Sequence, residues 1–297
     1  MRLGVAVPVH GGLLEPEDVA VVLEDAERLG YWSAWFADHL AVPPDGGGPF
    51  AEPLAACAWG LGATRRLVFG TDILVLPYRH PLQVAAAVAT AARLAHPPDR
   101  LVLGVGVGHL RAEFAALGVP YERRGALTGD ALAILRAART GTVDGLTLVG
   151  ATVPVWVGGA SAAARRRAAT LADGWHPLWP EPAEYRRLRT GIEELRATAG
   201  ETGPFTWSYS LPFTTVGAAV RGDGPASPPA PWYAPPFPVA ADGRLRFTGG
   251  LDQLAEDFSD LADAGVEHVV LRFVAVARRG GLSAVREQLE ALAPLLA

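Results

Sequence analysis

Residues 67–94 read LVFGTDILVLPYRHPLQVAAAVATAARL, and the two ends of this stretch carry different patterns. Residues 67–76 (LVFGTDILVL) form a nearly unbroken apolar and β-branched run, as in a strand buried on both faces. Residues 81–94 open with Pro81, which suits the first helical turn because its missing N–H would have no partner there, and continue as a helix. A strand buried on both faces and followed at once by a helix is the repeating unit of a parallel α/β fold.

Reading outward in both directions, the same unit recurs. Strands are predicted at 3–9, 33–37, 67–76, 101–105, 153–157, 174–178, 205–216 and 267–274. Helices are predicted at 16–29, 53–63, 81–94, 110–117, 122–139, 161–172, 182–199, 251–264 and 283–296. Eight strands, each followed by helix, close naturally into a (β/α)8 TIM barrel, here one domain over residues 1–297. A doubly wound open sheet is the structural alternative. Two stretches interrupt the alternation: 41–53, and the proline-rich 221–243 with Trp232, Tyr233 and Phe237 embedded. Loops that follow barrel strands lie on the catalytic face, so 221–243 is read as an aromatic lid over substrate.

Composition narrows the chemistry. The chain has 297 residues, half of them hydrophobic, and a net charge of −5, which argues against nucleic acid as the main partner. No apolar run approaches the roughly 18 residues of a membrane span, and the start of the chain enters a strand pattern directly, so a soluble cytoplasmic protein is expected. All 26 basic residues are Arg, and both Lys and Asn are missing. That excludes Schiff-base lysine chemistry, the P-loop lysine and N-glycosylation. The single cysteine, Cys57, lies in an apolar run and reads as a buried structural thiol.

In a barrel, residues just past the strand ends converge on one pocket. Those positions hold His10, Asp38, His39, Asp72, Arg79, His80, His109 and Trp175–His176. Taken singly, each histidine reads as structural; their clustering at strand ends points to function. The run Gly104-Val-Gly-Val-Gly108 strips side chains from a strand, as if to let a flat ligand approach. It lacks the third glycine of a dinucleotide fingerprint. Val155-Trp-Val-Gly158-Gly159-Ala-Ser161 leads into a helix whose first turn can bind phosphate through backbone N–H groups, with one of Arg165–Arg167 available to help.

These residues, in this order, resemble the luciferase-like monooxygenase superfamily, and within it the barrel oxidoreductases that use the 5-deazaflavin coenzyme F420. The resemblance rests on Ala37-Asp-His39, Gly70–Pro77 with Arg79-His-Pro81, Arg100–Gly108, Glu113-Phe-Ala-Ala-Leu-Gly118, Pro154–Gly159 with Arg167-Ala-Ala, Leu171–Trp175, and Ala264–Phe273. It implies a (β/α)8 barrel with the cofactor ring at the strand C-termini. Asp38 and His39 then look like the cofactor-contacting pair, with His39 the proton-transfer residue. The Asp72–Ile73 bond stands where deazaflavin members carry a non-proline cis peptide. Val75, Val107 and Gly108 fall on cofactor-lining positions, and Gly158, Gly159, Ser161 and Ala162 on phosphate-binding ones. His109 stands where relatives have Glu or Trp, Asp72 replaces a small residue, and the segment from Arg139 to Pro154 is short for the family. With no lysine to carry over, the family's sugar-phosphate substrate site is incomplete, and glucose 6-phosphate is not the expected substrate.

The resulting expectation is hydride transfer between F420 and a small organic, weakly anionic or apolar substrate. His39 is the first choice as general acid/base and His109 the second, since imidazoles titrate near neutrality. His10, His176, Trp179 and Trp232 are the candidate substrate contacts. The nearest alternative keeps the barrel and binds reduced FMN as a monooxygenase. A metal-dependent barrel hydrolase using His10, Asp38, His39, Asp72 and His176 is less favoured because paired histidine spacing is missing at strand one, and no metal is expected. A cofactor-binding barrel without turnover is a further reading. A homodimer is expected by analogy with relatives.

Overall fold

The computed structural model describes residues 1–9, 14–40, 50–217 and 237–296. Eight parallel strands line up: β1 (Arg2–Ala6), β2 (Ser33–Phe36), β3 (Val68–Thr71), β4 (Leu101–Gly106), β5 (Val155–Gly158), β6 (Gly174–His176), β7 (Thr206–Ser210) and β8 (His268–Arg272). Each pairs with its neighbours in sequence, and β1 also pairs with β8, so the sheet closes on itself as a (β/α)8 barrel. Closure removes every sheet edge, and the open-sheet alternative is ruled out.

The outer ring holds α1 (Pro16–Leu29), α2 (Pro53–Ala63), α3 (Pro81–Leu94), α4 (Arg111–Ala116), α5 (Arg124–Ala138), α6 (Ala162–Leu171), α7 (Pro182–Ala199), α8 (Leu251–Asp263) and α9 (Val274–Leu292). Four of them begin on proline, as a residue without an N–H favours. The larger core lies between strands and helices, where Val22, Leu23, Phe69, Leu103, Leu261 and Leu289 are buried. A second cluster fills the lumen around Trp35 and Trp156, whose rings stack at 5.3 Å. Gly70 makes room for the first of these rings: a Cβ there would stand 2.3 Å from Trp35.

Four elements differ from the sequence reading. The strand at 67–76 is broken by a cis peptide between Asp72 and Ile73, the bond the family resemblance singled out, and Leu74–Val75 then pairs with β4. The strand at 205–216 stops at Ser210, and Thr215–Val216 pairs instead with Thr248–Gly249 in a ladder of its own. Strand eight ends at Arg272, and helix begins at Val274 rather than 283, with a break at Gly281 (φ 59°, ψ −150°) that only glycine adopts without strain. The short 139–154 segment folds into a hairpin, Thr142–Val143 against Leu146–Thr147. Its turn residues Asp144 and Gly145 both have positive φ, as a two-residue type I′ turn needs.

Candidate functional site

At the C-terminal end of the barrel, two of the sequence candidates meet. His39 follows β2, His109 follows β4, and their rings stand edge-on at 5.6 Å. Phe50 closes the other side of His39 at 4.8 Å. Beneath them sits a carboxylate that the sequence pattern did not single out as a site residue, Glu113 on α4. Its Oε1 accepts the Leu40 N–H at 2.6 Å, and its Oε2 accepts the Tyr78 hydroxyl at 2.7 Å and faces His39 Nδ1 at 3.2 Å.

Packing holds Glu113 in place. Phe114, the next residue, is buried between Tyr78 and Tyr121, with ring centroids at 4.9 and 5.1 Å. Burial by itself would raise the Glu113 pKa, but the hydrogen bonds from His39 and Tyr78 outweigh it and hold the group below the ordinary carboxylate range. An ionised carboxylate only accepts, so His39 Nδ1 carries the hydrogen and Nε2 is left as the basic nitrogen. Solvent reaches His109, yet the protein around it removes enough water, with His39 adding to the effect, to hold its pKa below the ordinary imidazole value. Glu113 was legible only as part of the Glu113-Phe-Ala-Ala-Leu-Gly118 motif; no periodicity marked it as a partner for a residue 74 positions away.

The cofactor-lining candidates form a second group. Asp38 accepts Val75 N–H at 2.7 Å and takes Arg79 in a two-pronged ion pair at 2.6 and 2.9 Å. Both oxygens therefore work on the protein, tying the end of β2 to the segment after the cis peptide. The glycines of β4 also serve the chain's own packing, in contrast to the flat-ligand reading. A Cβ at Gly104 would stand 2.1 Å from the Thr71 carbonyl oxygen, and one at Gly106 would stand 2.1 Å from Ile73 Cδ1. A Cβ at Gly158 would meet the same Ile73 methyl at 2.8 Å, and one at Gly108 would meet Val75 at 2.6 Å. Ile73, Val75, Gly108 and Gly158 thus interlock, and Val107 lies half-buried beside them.

Asp72 and His176 turn inward, away from this surface. Asp72 accepts from His176 Nε2 at 3.0 Å and from the Ser210 hydroxyl at 3.0 Å, and it pairs with the Arg272 guanidinium. Burial opposes its ionisation, but the Arg272 charge and the His176 hydrogen bond prevail, so its pKa lies far below the usual value. His176 is buried and bonded through both nitrogens, which removes it from direct substrate contact. Trp179 packs on Phe237, ring centroids 6.0 Å apart, in a small cluster with Phe213 and Leu245. His10 and Trp232 lie outside the described residues, as do residues 221–236 of the expected lid.

The phosphate candidates surround the start of α6. Gly159 has φ +93°, Ser161 caps the helix by accepting Ala164 N–H at 3.2 Å, and Ser161 and Ala162 are exposed. The three arginines that follow do not gather there. Arg165 leans on Gly191 of α7, Arg167 donates to the Gly125 carbonyl at 2.8 Å, and Arg166 is exposed. A phosphate-bearing flavin-type cofactor fits this arrangement: an open helix N-terminus of ten residues, a glycine pair, and Gly158 against the Ile73 turn. Cys57 is buried and its pKa is pushed up by burial, which makes it an inert thiol.

A closed parallel barrel carries the two rim imidazoles and an open helix N-terminus at its strand C-termini, the face on which barrel enzymes place their active sites. The chain belongs to the luciferase-like monooxygenase family, whose model matches residues 1–218. It is 34% identical over 210 residues to an uncharacterised protein of Mycobacterium tuberculosis, covering 61% of this chain and 72% of that one. It is 33% identical over 177 residues to an F420-dependent glucose-6-phosphate dehydrogenase of Beutenbergia cavernae, covering 54% of this chain and 52% of that one. Solved structures with the same fold include an F420-dependent secondary alcohol dehydrogenase (TM-score 0.72, 18% identity, 98% of both chains). Another is an FMN-bound type II Baeyer–Villiger monooxygenase from Pseudomonas putida (TM-score 0.73, 14% identity, 100% and 98% coverage).

Proposed function

We propose that the chain transfers a hydride between coenzyme F420 and a small organic, weakly anionic or apolar substrate. The observation that carries this reading is the Glu113–His39 pair, with His109 beside it, on the same barrel face as the Ile73 turn. When bound, the deazaflavin supplies the hydride acceptor or donor. The protein's part is orientation and proton handling: Glu113 holds Nδ1–H of His39, so that Nε2 takes or gives the substrate's proton. Ile73, Val75, Val107 and Gly108 back the ring, and the amides near Gly159, Ser161 and Ala162 hold phosphate. Asp38 supports this surface through Val75 and Arg79 rather than by touching the ring. Residues 1–297 act as one barrel domain in this reading.

The reduced-FMN monooxygenase is the second reading, favoured by the FMN-bound neighbour of equal structural likeness. Titrating the protein separately with F420 and with FMN, followed by fluorescence, decides between them. Tight FMN binding with none for F420 would overturn the F420 assignment. His39→Gln is expected to cut turnover sharply with cofactor affinity nearly unchanged; unchanged turnover would remove His39 from its role.

We also infer a cytoplasmic homodimer. Helix α2 contains no charged residue, and Trp59 on its outer side is 48% exposed. A helix apolar all round is normally covered on every side. Beside it, α2 and α3 border a 380 Å³ cavity. Among the described residues, no helix is long and apolar enough to cross a membrane.

A further inference from the structure

A single line of hydrogen-bonded side chains runs through the barrel lumen. Trp35 Nε1–H donates to Ser33 Oγ at 2.7 Å, and Ser33 Oγ meets His268 Nε2 at 2.9 Å. His268 Nδ1 meets Ser208 Oγ at 2.9 Å, Ser208 Oγ meets His176 Nδ1 at 2.7 Å, and His176 Nε2 meets Asp72 Oδ1 at 3.0 Å. All six residues are buried. Gly4 leaves the space that the line occupies: a Cβ there would stand 2.1 Å from Ser33 Oγ and 3.0 Å from His268 Nε2.

With both imidazoles neutral, the two ends set the sense of every link. An indole N–H can only donate, and Asp72, ionised against Arg272, can only accept. The five bonds therefore need five protons: one on the indole, one on each hydroxyl, and one on each imidazole in its neutral form. Trp35 donates to Ser33, Ser33 to His268 Nε2, His268 Nδ1–H to Ser208, Ser208 to His176 Nδ1, and His176 Nε2–H to Asp72. A sixth proton would force two donors to face one another, or turn one out of the line, in a lumen walled by Trp35 and Trp156. His176 lies flat on Trp35 (ring centroids 5.1 Å, 17° between planes), and His268 lies 5.4 Å from Trp156. Burial also holds the His268 pKa well below the ordinary value, with Arg2 adding to the effect and Asp72 opposing it.

We propose that this line is a proton lock. Ser208 and His268 are positioning residues that keep His176 neutral, with its Nε2–H on Asp72. They thereby hold the charge behind the Ile73 turn constant while His39 and His109 exchange protons at the rim. The proposal rests on the cofactor reading only in placing the Ile73 turn against the ring. Among the described residues, the charged groups near the line are Asp72 and Arg272 at its upper end and Arg2 at its lower end, where Asp99 and Glu267 border the same cavity as His268.

Side-chain ¹⁵N NMR of the full chain, without cofactor, reads the lock directly. His176 should show the Nε2–H form and His268 the Nδ1–H form, both unchanged between about pH 5 and 8, the window in which a free imidazole titrates. Titration of either residue in that window, or the opposite tautomers, overturns the proposal. In Ser208→Ala, His176 Nδ1 loses its donor and should take up a proton in the same window. The Kd of whichever of F420 or FMN binds should then gain a pH dependence approaching tenfold per unit. Ser208→Thr, which restores the hydroxyl, should restore the flat profile. A loss of affinity by the same factor at every pH would show Ser208 to be merely structural and overturn the proposal. Should neither cofactor bind, the functional reading fails, and the tautomers of the wild-type chain still decide the lock. They decide it equally if Ser208→Ala does not fold.

Discussion

Replacing Glu113 with Gln isolates the charge at the base of the rim site with almost no change of shape. Among the described residues, three donors converge on the carboxylate: Leu40 N–H at 2.6 Å, the Tyr78 hydroxyl at 2.7 Å and His39 Nδ1 at 3.2 Å. A glutamine oxygen directed at Leu40 turns the amide NH2 toward Tyr78 and His39, where donor would meet donor. His39 can answer only by giving up its Nδ1 hydrogen, which puts the proton on Nε2 and removes the basic nitrogen from the site. A hydrogen bond to a charged, buried group contributes about 1.5–3 kcal/mol, and part of the set survives in the amide, so a loss near 2 kcal/mol is expected. For a chain of this size that corresponds to roughly 3 °C in Tm.

The pH dependence gives the sharper reading. Because the Glu113 pKa is lower in the folded state than its reference of 4.5, its contribution is fully present above that pH and is lost as pH falls through the folded-state value. The Tm gap between wild type and Glu113→Gln should therefore be widest near neutrality and shrink below about pH 4.5. Thermal melts from neutral to acid pH, with ¹⁵N NMR of His39, test both halves. A tautomer switch on a group that works in catalysis costs on the order of a hundredfold or more in turnover. A constant Tm gap across pH, or an Nδ1–H signal retained in the variant, would refute this account of the pair.

Other substitutions test the rest of the site. Gly106→Ala drives a methyl to within 2.1 Å of Ile73 Cδ1, so cofactor affinity measured by fluorescence should fall at least tenfold. Gly129→Ala, on α5 with nothing within 4 Å, should instead stabilise the fold by up to about 1 kcal/mol in a denaturant melt. Ser161→Ala removes the α6 cap and should cost about 1 kcal/mol of stability while weakening binding of the phosphate-bearing cofactor. Trp59→Arg places a charge on the bare side of α2 and should shift a dimer toward monomer in sedimentation; an unchanged mass would exclude this face as the interface.

The barrel was legible because its strands and helices differ in period, and proline and glycine punctuate them. Helices 16–29, 53–63, 81–94 and 182–199 keep their predicted limits. What escaped depends on tertiary contact. An apolar run such as 67–76 reads as one strand whether or not a cis peptide divides it, and only the family resemblance pointed to Asp72–Ile73. The alternating glycines of β4 look the same in sequence whether they face a ligand or a neighbouring strand; the Ile73 side chain decides it. His176 and His39 are both histidines at strand ends. One projects into the lumen and is bonded through both nitrogens, while the other stands at the rim, and strand-end position alone does not separate those fates.

The absence of lysine also takes a different meaning in the structure. Several arginines are deeply buried, and each is held by a set of acceptors that an ammonium could not match. Arg100 donates to the carbonyls of Leu61, Leu67, His96 and Pro97 and to the Thr64 hydroxyl, stitching the segments that lead into β3 and β4. Arg244 spans the carbonyls of Thr248 and Gln253 and both oxygens of Asp257. Arg272 reaches Asp72, Ser210 and the Leu211 carbonyl from one planar head. A planar fork with five donors satisfies such dispersed acceptors, whereas three donors on one nitrogen cannot. Arg165 and Arg167 follow the same logic: they serve helix contacts and leave the α6 N-terminus to its amides. The buried arginines are thus structural cross-links, and under the proposed function anion binding would fall to glycine backbone, the Ser161 hydroxyl and the helix end.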